Sequence, residues 1–265
     1  MNKKITIGII IVLASITGVL LLLHKDEIKE PANPENPTSN KEKVDYKYLI
    51  LENISTWGYN DGKFRKINPE NLEEKDFLVY EDNHFIGVYN LQYGTDWNLF
   101  DKSNNFIDYT GSLLAHSSNF NIEVKTLANI ELSNIELQEI SSIIGFDIDN
   151  TDLSTIEIVT CDLDGNGTTD KIVSASNLDA EEEQQKYFNV VYGVINNKLE
   201  IIRKEEINTK DLYLAPVYSI KNILAIEQEP YASIIIQEGY FSEGGKTSNI
   251  LYRYQNNKYT KTFED

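Results

Sequence analysis

The clearest chemical signal in the chain is the run Asp162-Leu163-Asp164-Gly165-Asn166-Gly167-Thr168-Thr169-Asp170. Counted from Asp162, oxygen-bearing side chains stand at positions 1, 3, 5 and 9, with glycine at position 6. A tight loop of this spacing turns alternate side chains toward one centre. Gly167 permits the sharp bend, and the carbonyl of Thr168 adds an oxygen. Three carboxylates in one loop repel each other unless a cation lies between them. Calcium takes about six to eight oxygens, and water completes what the loop leaves open. The ligand set is therefore Asp162, Asp164, Asn166, Thr168 (through its carbonyl) and Asp170, with a structural Ca2+ as the cofactor. An affinity of roughly 10⁻⁴–10⁻³ M is adequate outside a cell. The plain alternative is an Asx/Gly-rich turn that binds nothing.

An EF-hand needs a bidentate Glu at position 12, where this chain has Val173, and it needs flanking helices. Here Thr155–Val159 and Lys171–Ala175 read as strands. The segment from about 155 to 176 instead resembles the strand–loop–strand calcium motif of FG-GAP and VCBS-type repeats. That resemblance implies the same five ligand positions and a β setting. A second copy aligns downstream, with Ala225 and Ser233 at positions 1 and 9 and Glu227 and Glu229 at positions 3 and 5. Pro230 stands where the turn glycine belongs. Without its end ligands and glycine, this copy reads as a structural repeat that has no metal. The shortage of copies also counts against a full propeller.

No residue pattern singles out a catalytic centre. Ser242 in Tyr240-Phe-Ser242-Glu-Gly244 lacks the leading glycine of a nucleophile elbow. Asp108-Tyr-Thr-Gly111 has a residue too many for an aspartic-protease triplet. Cys161, the only cysteine, reads as a small core residue and excludes an internal disulfide. His84 falls in a turn and His116 in a polar loop, each without a partner.

The elements that must position the loop are mostly strands. Asn60-Asp-Gly-Lys63 is a hairpin signal between aromatic flanks. Further strands are read at Phe77–Tyr80, Phe85–Tyr89, Trp97–Phe100, Phe106–Tyr109, Tyr187–Ile195, Leu199–Lys204, Ser233–Gln237 and Ile250–Tyr254. Asn196-Asn-Lys198 and Asn256-Asn-Lys258 repeat one turn. The clearest helix spans 133–145: Ser133 and Glu136 form a capping box, Leu137, Ile140 and Ile144 recur at helical spacing, and Gly145 stops it. The acidic run Asp179–Glu183 reads as a solvated loop or a short helical turn. The fold class is mainly β, antiparallel hairpins in a sandwich- or partial-propeller-like arrangement, with one connecting helix.

Ahead of these elements, Ile5–Leu23 carries no charge and at about 1.5 Å per residue just spans a bilayer core of roughly 30 Å. Lys3 and Lys4 precede it and a mixed, slightly acidic segment follows, so the positive-inside rule puts the N-terminus in the cytoplasm. A cleaved signal peptide is the alternative, but no small-x-small site follows Leu23. Residues 24–44 hold Pro31, Pro34 and Pro37 and few apolar side chains, the composition of a disordered spacer. The organisation is a cytoplasmic tip (1–4), an anchor (5–23), a linker (24–44), a β-rich aromatic region (45–130) and a helix plus β-rich calcium-loop region (131–265).

The 265 residues carry 24 Lys and Arg against 42 Asp and Glu, a formal charge of −18. Such an acidic chain offers no basic face for nucleic acid. Trp57, Tyr59, Tyr89, Tyr93 and Trp97 could stack on an envelope glycan, or they are core and hairpin aromatics. These readings combine into a single-pass, membrane-anchored extracytoplasmic protein, a non-catalytic binding or envelope-associated module whose ligand is a glycan or a protein. The alternative is a cell-envelope hydrolase acting on glycan or peptide.

Overall fold

Short aromatic and β-branched strands separated by polar turns fill the first part of the chain. In the computed structural model, which describes residues 45–52, 55–72, 76–94, 96–178, 186–207, 215–240 and 247–265, they build an eight-stranded antiparallel sheet. Its strands are β1 (Lys47–Leu51), β2 (Ser55–Asn60), β3 (Lys63–Lys66), β4 (Phe77–Glu81), β5 (His84–Tyr93), β6 (Trp97–Phe100), β7 (Phe106–Ile107) and β8 (Leu113–Ser117). The order is β3-β2-β1-β8-β4-β5-β6-β7. Next come β9 (Ile122–Val124), β10 (Ala128–Asn129) and helix α1 (Asn134–Ile144).

The rest of the chain forms two antiparallel meanders. One runs through β11 (Thr155–Cys161), β12 (Asp170–Ser176), β13 (Tyr187–Ile195) and β14 (Lys198–Ile207), and β10 extends it on the β11 side. The other runs through β15 (Pro216–Ile226), β16 (Ser233–Tyr240), β17 (Ser248–Gln255) and β18 (Lys258–Glu264), with β9 beside β15. The protein is thus mainly β and antiparallel, with one α-helix among the described residues. Residues 45–265 pack as one unit. The boundary read near residue 130 falls between β10 and α1, while β9, before it, pairs with β15, after it.

The sheets stack because the meanders are apolar on both faces. In β16, Ile234 and Ile236 join Val159, Ile172, Val191 and Ile202 of the neighbouring meander. Ile235, one residue along, faces the other way and packs with Leu49, Trp57, Leu114 and Leu251. A strand buried on both sides reads as a continuous apolar run, which is why this one is Ser-Ile-Ile-Ile rather than an alternation. The β11–β14 meander is covered on its far face by α1, whose Ile140 and Ile144 meet Val173, Phe188, Val190 and Tyr192.

Helix α1 starts and stops as its sequence requires. Ser133 caps it, Glu136 closes the capping box, and Gly145 adopts φ 82 at the C′ position. A buried polar contact fixes it to the sheet: the Lys171 Nζ lies 2.7 Å from Glu136 and 2.8 Å from Glu139, and the Tyr192 hydroxyl donates to Glu139 at 2.8 Å. Burial would raise the Glu136 pKa, but the hydrogen bonds from Lys171 and Ser133 outweigh it and hold the carboxyl at about 2.

Two sequence expectations change, and one pair of alternatives is decided. His116 is not in a polar loop but on β8, 2% exposed, with Nδ1 3.0 Å from the Ser117 carbonyl. The strand read over Phe106–Tyr109 ends at Ile107. Trp57 and Trp97 are core residues, 0% and 3% exposed, so they offer no platform to a sugar. The anchor, the linker, the acidic run 179–183 and Ser242 lie outside the described residues. Among the described residues no helix is long and apolar enough to cross a membrane.

Candidate metal centre

The acidic loop joins β11 to β12, and its base is a strand pair, Cys161 opposite Asp170. Both ends are therefore fixed by the meander. Leu163, the second loop residue, is 1% exposed and sits in the core between the two meanders. Its carbonyl accepts the Ala232 N–H at 2.7 Å, which ties the loop to the β15–β16 connection. This apolar anchor turns Asp162 and Asp164, on either side, the opposite way.

Carboxylate oxygens of Asp162, Asp164 and Asp170 lie within 4.8 Å of one another, so the three could hold a metal ion. Calcium, with oxygens at about 2.3–2.6 Å, accepts ligands up to roughly 5 Å apart, so that separation needs no movement of the loop. Asp162 also organises the backbone: Oδ1 accepts from Gly165 at 2.8 Å and Asn166 at 3.2 Å, and Oδ2 from Gly167 at 3.0 Å. Gly167 reaches this position at φ 83, in the left-handed region that glycine occupies without strain. The Gly167 N–H, helped by those of Gly165 and Asn166, holds the Asp162 carboxyl below its ordinary range. Asp170, 3% exposed, accepts from Leu163 through Oδ2 and from Asn196 through Oδ1, each at 3.0 Å.

The other two expected ligands stand differently. Asn166 Oδ1 accepts the Thr168 N–H at 2.6 Å and its hydroxyl, while Nδ2 donates to Asp164 at 2.9 Å. In this arrangement Asn166 braces the loop. Thr168 is exposed and closes the turn onto Asn166.

The residue that sequence reasoning missed is Asn196. It comes from the β13–β14 turn, 26 positions beyond Asp170, and is bonded to three members of the loop. Its side chain donates to Asp164 Oδ2 at 2.6 Å and accepts from Asn166 at 2.8 Å, in addition to the backbone bond to Asp170. Asn196 and Asn197 have φ 51 and 59, the positive pair of a type I′ hairpin turn that asparagine tolerates. The repeated Asn-Asn-Lys was the signal, but it reads as turn chemistry alone until the fold brings it to the loop.

Among the described residues no Lys or Arg forms an ion pair with these aspartates. Lys125 acts on Asp162 only through its charge, its ammonium being 2.9 Å from Glu123. Cys161 is no nucleophile here: burial, reinforced by the Asp170 charge, pushes its thiol up to about 12.

The corresponding β15–β16 connection is closed by a side-chain cation. Arg253, on β17, is ion-paired with Glu229, and its other nitrogen donates to the Gly62 carbonyl at 2.7 Å. Ser233 donates to Glu229 at 3.1 Å. This connection begins after Ile226, because β15 runs through Ala225, the position read as the start of the second loop.

No family model, curated protein or solved structure matches this chain.

Proposed function

We propose that this chain is a membrane-anchored extracytoplasmic binding protein in which calcium, held by Asp162, Asp164 and Asp170, stiffens the loop between β11 and β12. The observation that carries the reading is the convergence of three carboxylates within 4.8 Å with no basic side chain among the described residues paired to them. A divalent cation there relieves their repulsion, and binding only to the folded state stabilises it by RT ln(1 + [L]/Kd). The Asn166 amide and the Thr168 carbonyl complete the ligand set once the amide turns inward. The resemblance to FG-GAP and VCBS-type repeats supports the same assignment.

The two meanders are, on this reading, two blades of a partial propeller. Each has four antiparallel strands and an Asn-Asn turn with positive φ, at Asn196–Asn197 and Asn256–Asn257. Register irregularities fall between Val191 and Tyr192 in one and between Leu251 and Tyr252 in the other, at the same distance from the turn. Ile5–Leu23 is the anchor, with the N-terminus in the cytoplasm.

Calcium at roughly 100 times Kd adds about 2.7 kcal/mol of stability, so millimolar calcium raises the melting temperature and magnesium does so less. Asp162→Ala or Asp164→Ala removes the response. A wild-type melting curve that ignores calcium, together with no calcium heat in calorimetry at millimolar levels, would show that the loop is only a turn. For the anchor, a soluble mature form starting after residue 23 would replace it with a signal peptide.

A further inference from the structure

Beside the acidic loop, the two Asn-Asn turns face each other across a cleft of about 500 Å3. Asn196, Lys198 and Glu200 line it from the β13–β14 hairpin, Tyr254 and Asn257 from the β17–β18 hairpin, and Tyr231 from the β15–β16 connection. The volume lies inside the roughly 300–1,000 Å3 of small-molecule sites. Both walls are type I′ turns with positive φ at each asparagine, so the cleft is formed before any ligand arrives.

The lining has a definite chemistry. Tyr231 and Tyr254 are half-buried and stacked, ring centroids 3.9 Å apart, and Tyr254 is braced edge-on by Tyr259 at 5.3 Å. That gives a rigid aromatic surface. Lys198 and Glu200 carry opposite charges, so the lining is neutral in a chain of formal charge −18. The side-chain amide of Asn257 offers donors and an acceptor, and that of Asn196 keeps one N–H and one lone pair beyond its bonds to Asp164 and Asn166. Aromatic surface, paired amides and no net charge suit a ligand with C–H faces and many hydroxyls, and give little to a strongly charged one.

Asn196 belongs to the cleft and to the loop at once, since its side chain donates to Asp164 at 2.6 Å and its N–H to Asp170 at 3.0 Å. We propose that this cleft binds a neutral saccharide and that a cation in the Asp162–Asp170 loop strengthens the binding by holding Asn196. The second half of the proposal rests on the calcium reading above.

The test is saturation-transfer NMR on the full-length chain in a sugar-free detergent, with maltose and N,N′-diacetylchitobiose as probes, in millimolar calcium or with chelator. Transfer to the ring C–H protons of either sugar is the expected result. Tyr254→Ala should weaken the binding about tenfold, whereas Tyr254→Phe, which keeps the ring, should retain it. Asn257→Gly keeps the positive-φ turn and removes the amide, and should weaken binding severalfold. No transfer from wild type, or transfer untouched by both Tyr254→Ala and Asn257→Gly, would overturn the saccharide cleft. Unchanged sugar affinity in chelator, while calorimetry detects calcium binding, would overturn the coupling. Sugar binding that depends on Tyr254 in a protein taking up no calcium would sustain the cleft and defeat the calcium reading instead.

Discussion

The connections β11–β12 and β15–β16 hold equivalent places in their meanders and treat negative charge in different ways. In the second, Glu229 is met by the Arg253 guanidinium, both side chains being about seven-eighths buried. In the first, Asp162, Asp164 and Asp170 meet backbone N–H groups and the amides of Asn166 and Asn196, none of which carries a full positive charge. The difference follows from how far each hairpin projects past its loop. β17 continues beyond Arg253 before turning, so a long basic side chain stands across from Ser233, the residue that follows the connection. β13 turns directly after Ile195, so a turn asparagine stands beside Asp170 instead. One meander carries its cation covalently, and the other leaves a place that an ion from solution can fill.

The largest effect that probes this contrast comes from Arg253→Met. Removing the guanidinium leaves Glu229 buried without its partner, which should cost about 3–5 kcal/mol in chemical denaturation, with no rescue by calcium. A loss below about 1 kcal/mol, or restoration by calcium, would mean that the two connections are not alternatives of one kind. Asp170→Ala comes next. It strands the Leu163 and Asn196 N–H groups and should cost about 2–3 kcal/mol in chelator as well as removing any calcium response. Asp170→Asn, which keeps one acceptor, should cost less.

Acid probes the contact between helix α1 and the meander it covers. Glu136 has an ordinary value of 4.5 and is held at about 2 in the fold. The carboxyl is depressed, so its pairing with Lys171 contributes fully above pH 4.5 and is lost as the pH falls from 4.5 toward 2. Helical circular dichroism followed over that window should fall in wild type and lose most of its pH dependence in Glu136→Gln. His116 has the same sign at higher pH, because burial lowers its pKa below 6.5 and stability declines once the pH drops under that value.

The smallest comparison is between the two turns. Asn196→Gly and Asn256→Gly both suit positive φ, but only the first removes an amide bonded to Asp164 and Asn166. Melting should show a loss of about 1 kcal/mol for Asn196→Gly and a change within about 0.5 kcal/mol for Asn256→Gly. Equal effects would detach Asn196 from the site.

What the sequence determined by itself is local. Ser133, Glu136 and Gly145 set both ends of α1 because capping bonds span only a few residues. The spacing of Asp162, Asp164 and Asp170 brings three carboxylates to one loop, since the turn that gathers them is nine residues long. Runs of apolar and aromatic residues such as Tyr187–Ile195 and Trp97–Phe100 appear as strands over the residues read. Tertiary structure decided everything that depends on what lies across a strand. It buried Trp57, Trp97 and His116, paired β9 with a strand about a hundred residues later, and set Arg253 against one connection and Asn196 against the other. Strand pairing joins residues far apart in the chain, and moving the pairing by one residue exchanges the two faces of a sheet. No local pattern carries that choice; the packing of three stacked sheets makes it.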